Sequence, residues 1–267
     1  MPTGDRTVSV LGLGLMGSAR VAGSVLDACE ASRVIVICLL HHEAVHSLMR
    51  SPEIESVLAG KVVNQLSTGS PADARGMSAW LQACGAASFD GAILGAPSMI
   101  GGDQAKVLVS GPRVLFDQHL GLFQALTRDP AFCRDEIGRA AALDHAALEL
   151  SAGCSVVHLH AMARCEAESV PLEELVGLVT PFRQGFVERV TNVVGTGEVP
   201  SGNASVHTWL AWAETLIWVS DDAGVSATLP RALHEHLHRT VELGQGDKDF
   251  PVVYGTFRPV PSLSACS

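Results

Sequence analysis

Positive charge is scarce in this chain. Its 267 residues carry 18 Lys and Arg against 28 Asp and Glu, a formal net charge of -10. A surface of that sign does not neutralise phosphates, so nucleic acid is not an expected partner. Long apolar runs are missing too. No stretch approaches the roughly 18 residues of a membrane helix, and no membrane partner is expected. The opening "MPTGDRTVSV" has neither the basic start nor the apolar core of a secretory signal. Paired cysteines are absent: the seven, at 29, 38, 84, 133, 154, 165 and 266, are odd in number and form no CxxC. Most lie in apolar surroundings, as reduced core residues of a cytoplasmic protein do. No zinc spacing occurs, and no metal is expected.

What is present is apolar and ordered by period. Hydrophobic residues make up 47% and charged ones 17%, enough core for one large or two modest domains. "TVSVLGLG" reads as a strand entering a tight turn. Residues 15–31 read as a helix, with Met16, Ala19, Ala22 and Leu26 on one face. "VIVICLL", residues 34–40, is the continuous apolar run of a parallel strand covered on both faces. "EAVHSLM" is helical and "KVVNQLS" is another buried strand. "TGSPADARGMSAWLQACG" starts a helix with Ser70 as N-cap and Pro71 at the first helical position. "AASFDGAILGAP" and "AKVLVSG" add two strands. This alternation, up to about residue 115, predicts a parallel, helix-covered sheet.

The pattern then changes. Gly138 to Ala167 is nearly free of breakers, a helix roughly 40 Å long. It is apolar around most of its circumference and needs burial on many sides, which a second copy can supply. Helices continue through "PLEELVGLVTPFRQGFVERVTNVV", "SVHTWLAWAETLIWVSDDAG" and "PRALHEHLHRTVELG", and the Pro- and Ser-rich tail "FRPVPSLSACS" reads as loose.

Gly12-x-Gly14-x-x-Gly17 follows a strand and opens a helix, the context a dinucleotide fingerprint requires. The first glycine lets the chain turn, the second admits a pyrophosphate to the backbone, and the third packs helix on sheet. The pyrophosphate would sit at the helix N-terminus. The plain alternative is a strand-turn-helix that merely needs glycines. An acidic residue about 20 positions on would suit NAD, and a nearby Arg would suit NADP. Counting from Gly17 lands at Ile37 and Cys38, which carry no charge. If Val34–Leu40 is the second strand, the reader would be Leu40, His41 or His42. Arg33 precedes the strand, at its wrong end.

Several stretches resemble the imine reductases, a branch of the β-hydroxyacid dehydrogenase superfamily. "GLGLMG" is similar to the family's opening turn and "ICLLHHEAV" to its later "CLLxxxAV" segment. "LAGKVVNQLSTGSPADAR", "DGAILGAPSMIG" and "VSG" follow as in the family. "GRAAALDHAALEL" resembles the start of its interdomain helix, "HAMA" (160–163) a later part, and "GDKDF" (246–250) its C-terminus. The likeness covers nearly the whole chain.

The resemblance implies that Val34–Leu40 is the family's fourth strand. About 25–30 residues are then missing, covering the second strand, its helix and the third strand. The family's reader of the NADP 2′-phosphate lies in that gap. Two placements stay open. Strand one and the family's fourth strand are joined directly, which puts the first helix on the opposite face; or Val34–Leu40 takes the vacant slot beside strand one. The fold class is thus α/β: a truncated Rossmann-like parallel-sheet domain, 1–137, followed by an all-helical dimerisation and substrate domain, 138–267, with a long interdomain helix.

The function implied is hydride transfer from NADPH to the C=N bond of a small cyclic or secondary imine, in a cytoplasmic homodimer with interlocked helical domains. The alternative is a non-redox member that has lost NADPH binding and cyclises an imine-like intermediate by acid–base catalysis. Asp144 stands where the family carries the Asp or Tyr that protonates or anchors the substrate nitrogen. An apolar setting favours its neutral form; the plain alternative is a first-turn Asp stabilised by the helix N-terminus. A slip of one residue would bring in His145. The dehydrogenase relatives use a Lys in this helix, and no Lys occurs between 107 and 247.

Cofactor residues implied are Gly12, Leu13, Gly14, Leu15, Met16, Gly17, Leu39, Leu40 and Thr68. Those implied for substrate are Pro97, Met99, Ala152, Trp209 and Trp212. Ala152 replaces an aromatic of several family members, and Trp209 and Trp212 also suit a dimer core. His234, His236 and His238 look like a metal cluster, but only 234 and 238 share a helical face.

Overall fold

The computed structural model describes residues 8–12, 23–39, 42–95, 97–199 and 204–257. Contacts divide the chain into two compact units, Met1–Ser151 and Ala152–Ser267.

The first unit is built on a sheet of six strands in chain order. They are β1 (Val8–Leu11), β2 (Val34–Ile37), β3 (Val62–Gln65), β4 (Ala87–Leu94), β5 (Lys106–Ser110) and β6 (Ala131–Phe132). Strands β1 to β4 are parallel, with Val8 beside Val34, Val34 beside Val62, and Val62 beside Ala87. Because β2 lies between β1 and β3, Val34–Ile37 holds the fourth-strand position and not the slot on the far side of β1.

The crossovers carry α1 (Val25–Ala31), α2 (His42–Met49), α3 (Pro52–Val57) and α4 (Pro71–Ala83). Each step runs the same way across the sheet. Right-handed crossovers stepping in one direction put all their helices on one face. The core bears this out: Leu11, Ile35, Ile37 and Val63 pack with Cys29 of α1, Val45 and Met49 of α2, Ile54 of α3, and Met77 and Leu81 of α4. The opposite face is covered at β4 and β5 by α5 (Arg113–Gln118) and α6 (Leu120–Leu126). There Phe89, Val107, Val109, Phe116 and Phe123 cluster. Phe116 stacks on Phe123 at 5.2 Å and Phe89 meets Phe123 edge-on.

Two expectations need correction. The helix read over residues 15–31 is interrupted: Gly23 and Ser24 are not helical, and α1 begins at Val25. Ser24 has extended backbone and its hydroxyl accepts the Asp27 N–H, so it caps a new helix. Met16, Ala19 and Ala22 lie outside the described residues. The sheet is also not wholly parallel, since β5 runs antiparallel to β4. The described residues of 95–105 between them hold only the 3-10 turn Pro97–Met99. A parallel return needs a crossover of a dozen or more residues, usually with a helix.

The second unit takes up most of α7 (Arg139–Ala167), then α8 (Leu172–Thr196), α9 (Val206–Asp222) and α10 (Thr228–Glu242). Helices α9 and α10 share a core of Val206, Ala213 and Leu237, closed by Val253 from the 3-10 run Phe250–Phe257. The tail from residue 258 lies outside the described residues.

Candidate functional site

The carboxyl ends of β1 to β4 lie along one edge of the sheet, the edge where open α/β sheets receive ligands. Gly12 follows β1 with φ +126, and a Cβ there would sit 2.0 Å from the Cys38 carbonyl oxygen. The end of β2 passes over this residue, its Cys38 N–H donating to Leu11 O at 2.9 Å. Only glycine fits. Leu39 N–H, just past β2, donates to Ser67 Oγ at 2.8 Å. Thr68 follows, exposed, and Ser70 then caps α4 in a reciprocal box with Asp73. Past β4, Pro97 opens the turn that holds half-buried Met99. Leu13, Gly14, Leu15, Met16, Gly17 and Leu40 lie outside the described residues.

Asp144 sits in the second turn of α7 and is 4% exposed. The head of that helix is tied down from three directions. Asp90 of β4, itself buried, accepts the N–H groups of Gly138 at 3.0 Å and Ala141 at 3.2 Å through one carboxylate oxygen. The same oxygen accepts the Ser110 hydroxyl of β5 at 3.0 Å, and Ser110 Oγ in turn accepts the Ala140 N–H. His145 Nε2 donates to the Gly69 carbonyl at 3.0 Å, joining the second turn of α7 to the loop after β3. Gly138 needs its glycine: its φ is +96, and a Cβ would crowd the Pro71 carbonyl and the Arg75 guanidinium.

Ala141 and Asp144, three residues apart, share a helix face. The side that Asp90 fastens therefore carries Asp144 inward. Burial pushes the Asp144 carboxyl above the ordinary carboxylate range; nearby His145 opposes this, and the charge of Asp90 adds to it. A carboxyl raised in this way can donate a proton where an ordinary one has already lost it.

The residues singled out in the sequence fall in two places. Gly12, Leu39, Thr68, Pro97, Met99 and Asp144 belong to the first unit. Ala152 is exposed on α7, Trp212 is 46% exposed on α9, and half-buried Trp209 packs against Trp212 at 5.4 Å and Phe250 at 5.0 Å, all in the second. On α10, His234 and His238 stack at 6.0 Å, while His236 turns away to Thr256 and Phe257. Among the described residues no group of three ligands could hold a metal ion. Sequence reasoning missed Asp90 and Ser110. The available signal was an acid inside the apolar strand "SFDGAIL", since a buried carboxylate needs donors.

Residues 136–259 match the family described as NADPH-dependent reductive aminase-like, C-terminal domain, and residues 14–138 match the NAD binding domain of 6-phosphogluconate dehydrogenase. The chain is 24% identical over 246 residues to an NADPH-dependent reductive aminase of Aspergillus oryzae, covering 90% of this chain and 83% of that protein. An imine reductase from Myxococcus stipitatus, solved in complex with NADP+, is 29% identical with a TM-score of 0.84, over 89% of this chain and 84% of the other. A reductive aminase from Aspergillus terreus, solved with NADPH and ethyl levulinate, is 27% identical with a TM-score of 0.85, over 94% and 99%.

Proposed function

The chain belongs to the imine reductase family of the β-hydroxyacid dehydrogenase superfamily, and from that premise we propose that it reduces the C=N bond of a small cyclic or secondary imine with NADPH. The cofactor, when bound, supplies the hydride. Gly12, Leu13, Gly14, Leu15, Met16 and Gly17 are assigned to its pyrophosphate, and Leu39, Leu40 and Thr68 to the rest of its path along the sheet edge. The fit is supported at Gly12, whose glycine is obligatory, and at exposed Thr68 on the same edge. Asp144 is the proton donor or anchor for the substrate nitrogen. Pro97, Met99, Ala152, Trp209 and Trp212 are assigned to the substrate.

The observation that carries this reading is the buried Asp144 at the head of α7. The test is NADPH consumption over a panel of cyclic and secondary imines. Asp144→Asn should lower kcat by roughly 100-fold or more, the usual worth of a positioned acid. Its donor is lost as pH rises through the raised carboxyl value, so kcat should fall on the alkaline side. Unchanged turnover in Asp144→Asn removes the acid from the mechanism. A second reading, acid–base cyclisation without a cofactor, is favoured by the sheet's ending at β1 among the described residues. It is marked by product formed without NADPH.

The working unit is a homodimer in this proposal. Leu143, Leu148, Leu150, Val156, Val157 and Leu159 of α7 are all exposed and lie on opposite sides of that helix, a burden for one chain to leave in water. The six described cysteines are unpaired, in keeping with a cytoplasmic setting.

A further inference from the structure

The one-way winding of the sheet bears on which nicotinamide nucleotide the site selects. In open Rossmann sheets the adenosine ribose is read from the strand beyond the first. An acid there takes a free 2′-hydroxyl, and an arginine takes a 2′-phosphate. Here β1 has β2 on one side, and among the described residues the sheet ends at β1 on the other.

The connection from β1 to β2 is too short to carry a further parallel reader strand. Residues 12–33 run from β1 to β2 and already hold α1 with its capping turn. Leaving β1 for a further parallel strand and returning to β2 takes two crossovers of a dozen or more residues each. The chain cannot build that strand from this segment.

Of the described residues after β2, Cys38 and Leu39 are uncharged and His42 is taken up as the first residue of α2. Arg33 belongs to the other edge: its carbonyl accepts the Val62 N–H at the amino ends of β2 and β3. Gly12 and Thr68, by contrast, stand at the carboxyl edge where a pyrophosphate and nicotinamide would lie.

We infer that this chain holds a nicotinamide nucleotide by its pyrophosphate and nicotinamide end alone, so that it does not discriminate NADPH from NADH and tolerates removal of the adenosine. The inference rests on the proposed use of a nicotinamide cofactor and narrows it to one end of the molecule. An arginine reader separates the two dinucleotides by roughly 10- to 100-fold, the worth of a charge-assisted contact. A site without one has no means to do so.

The test is equilibrium binding to the full chain, by titration calorimetry and nucleotide fluorescence, with no imine present. The probes are NADPH, NADH and, as a competitor, adenosine. The expected result is Kd values for the two dinucleotides within about 3-fold, with neither displaced by millimolar adenosine. NADPH binding 100-fold tighter than NADH overturns the inference while leaving the proposed reductase standing. Loss of that gap in Arg6→Ala or Arg20→Ala would then place the reader in the N-terminal segment. Displacement of either dinucleotide by adenosine also overturns it, because the adenosine is then held. If neither dinucleotide binds, the cofactor reading falls and the inference with it.

Discussion

Asp144 is costly to fold around, and the cost has a pH signature. Its carboxyl keeps a proton to higher pH in the folded chain than in the unfolded one. Across the window between those two values the native state binds more protons. Stability therefore falls as pH rises through the window. Below about pH 4 both states are protonated and the cost vanishes. Asp144→Asn should raise the Tm at neutral pH and lose that gain as pH drops to about 3, read by calorimetry at both values. A gain that is equal at the two pH values would detach it from the titration of this carboxyl. Asp90 contributes through its hydrogen bonds. Its carboxylate satisfies two backbone donors and a buried hydroxyl at once. Asp90→Ala leaves them unmet and should cost about 3 kcal/mol of stability by urea unfolding. If the loss stays under about 1 kcal/mol, Asp90 does not fasten the head of α7.

At the scale of elements, winding in one direction explains why α1 lies on the same face as α2, α3 and α4. It also explains why the turn at Gly12 is so tight, since β2 starts its carboxyl-end loop directly over it. Gly12→Ala drives a Cβ into the Cys38 carbonyl at a φ that L residues rarely adopt. The expected loss is more than about 2 kcal/mol, seen as a lowered Tm. A variant as stable as the parent would mean that the turn has another conformation within easy reach. Much of this was legible beforehand. "VIVI" could only be a strand buried on both faces, and Ser70-Pro71 announced α4, because cap and period are local signals. The direction of β5 was not legible in that way. Strand polarity is absent from periodicity and shows only in the short connection over 95–105. The start of α1 was missed because the apolar period runs through Ser24 while its hydroxyl caps. Asp90 was missed because one acid in a strand has no period at all; its partners at 110, 138 and 141 come from later parts of the chain.

For the whole molecule the question is what covers α7. A 29-residue helix exposes Leu143, Leu150 and Val157 toward one side and Leu148, Val156 and Leu159 toward the other, the feature on which the proposed homodimer rests. Partial burial at Ala161–Cys165 shows where the chain covers itself, and the exposed residues precede that stretch. Leu159 is 62% exposed in the single chain. Were that its state in solution, Leu159→Asp would change stability by no more than about 0.5 kcal/mol. In a homodimer the same substitution buries a carboxylate without a partner, which is strongly unfavourable. Sedimentation of the parent should give a dimer at micromolar concentration, with a Tm that rises with protein concentration. Leu159→Asp should shift the mass toward a monomer and lower the Tm by several degrees. A variant that remains dimeric with an unchanged Tm would place Leu159 outside the interface. A monomeric parent would remove the partner from α7 and require this protein to keep a long apolar helix in water.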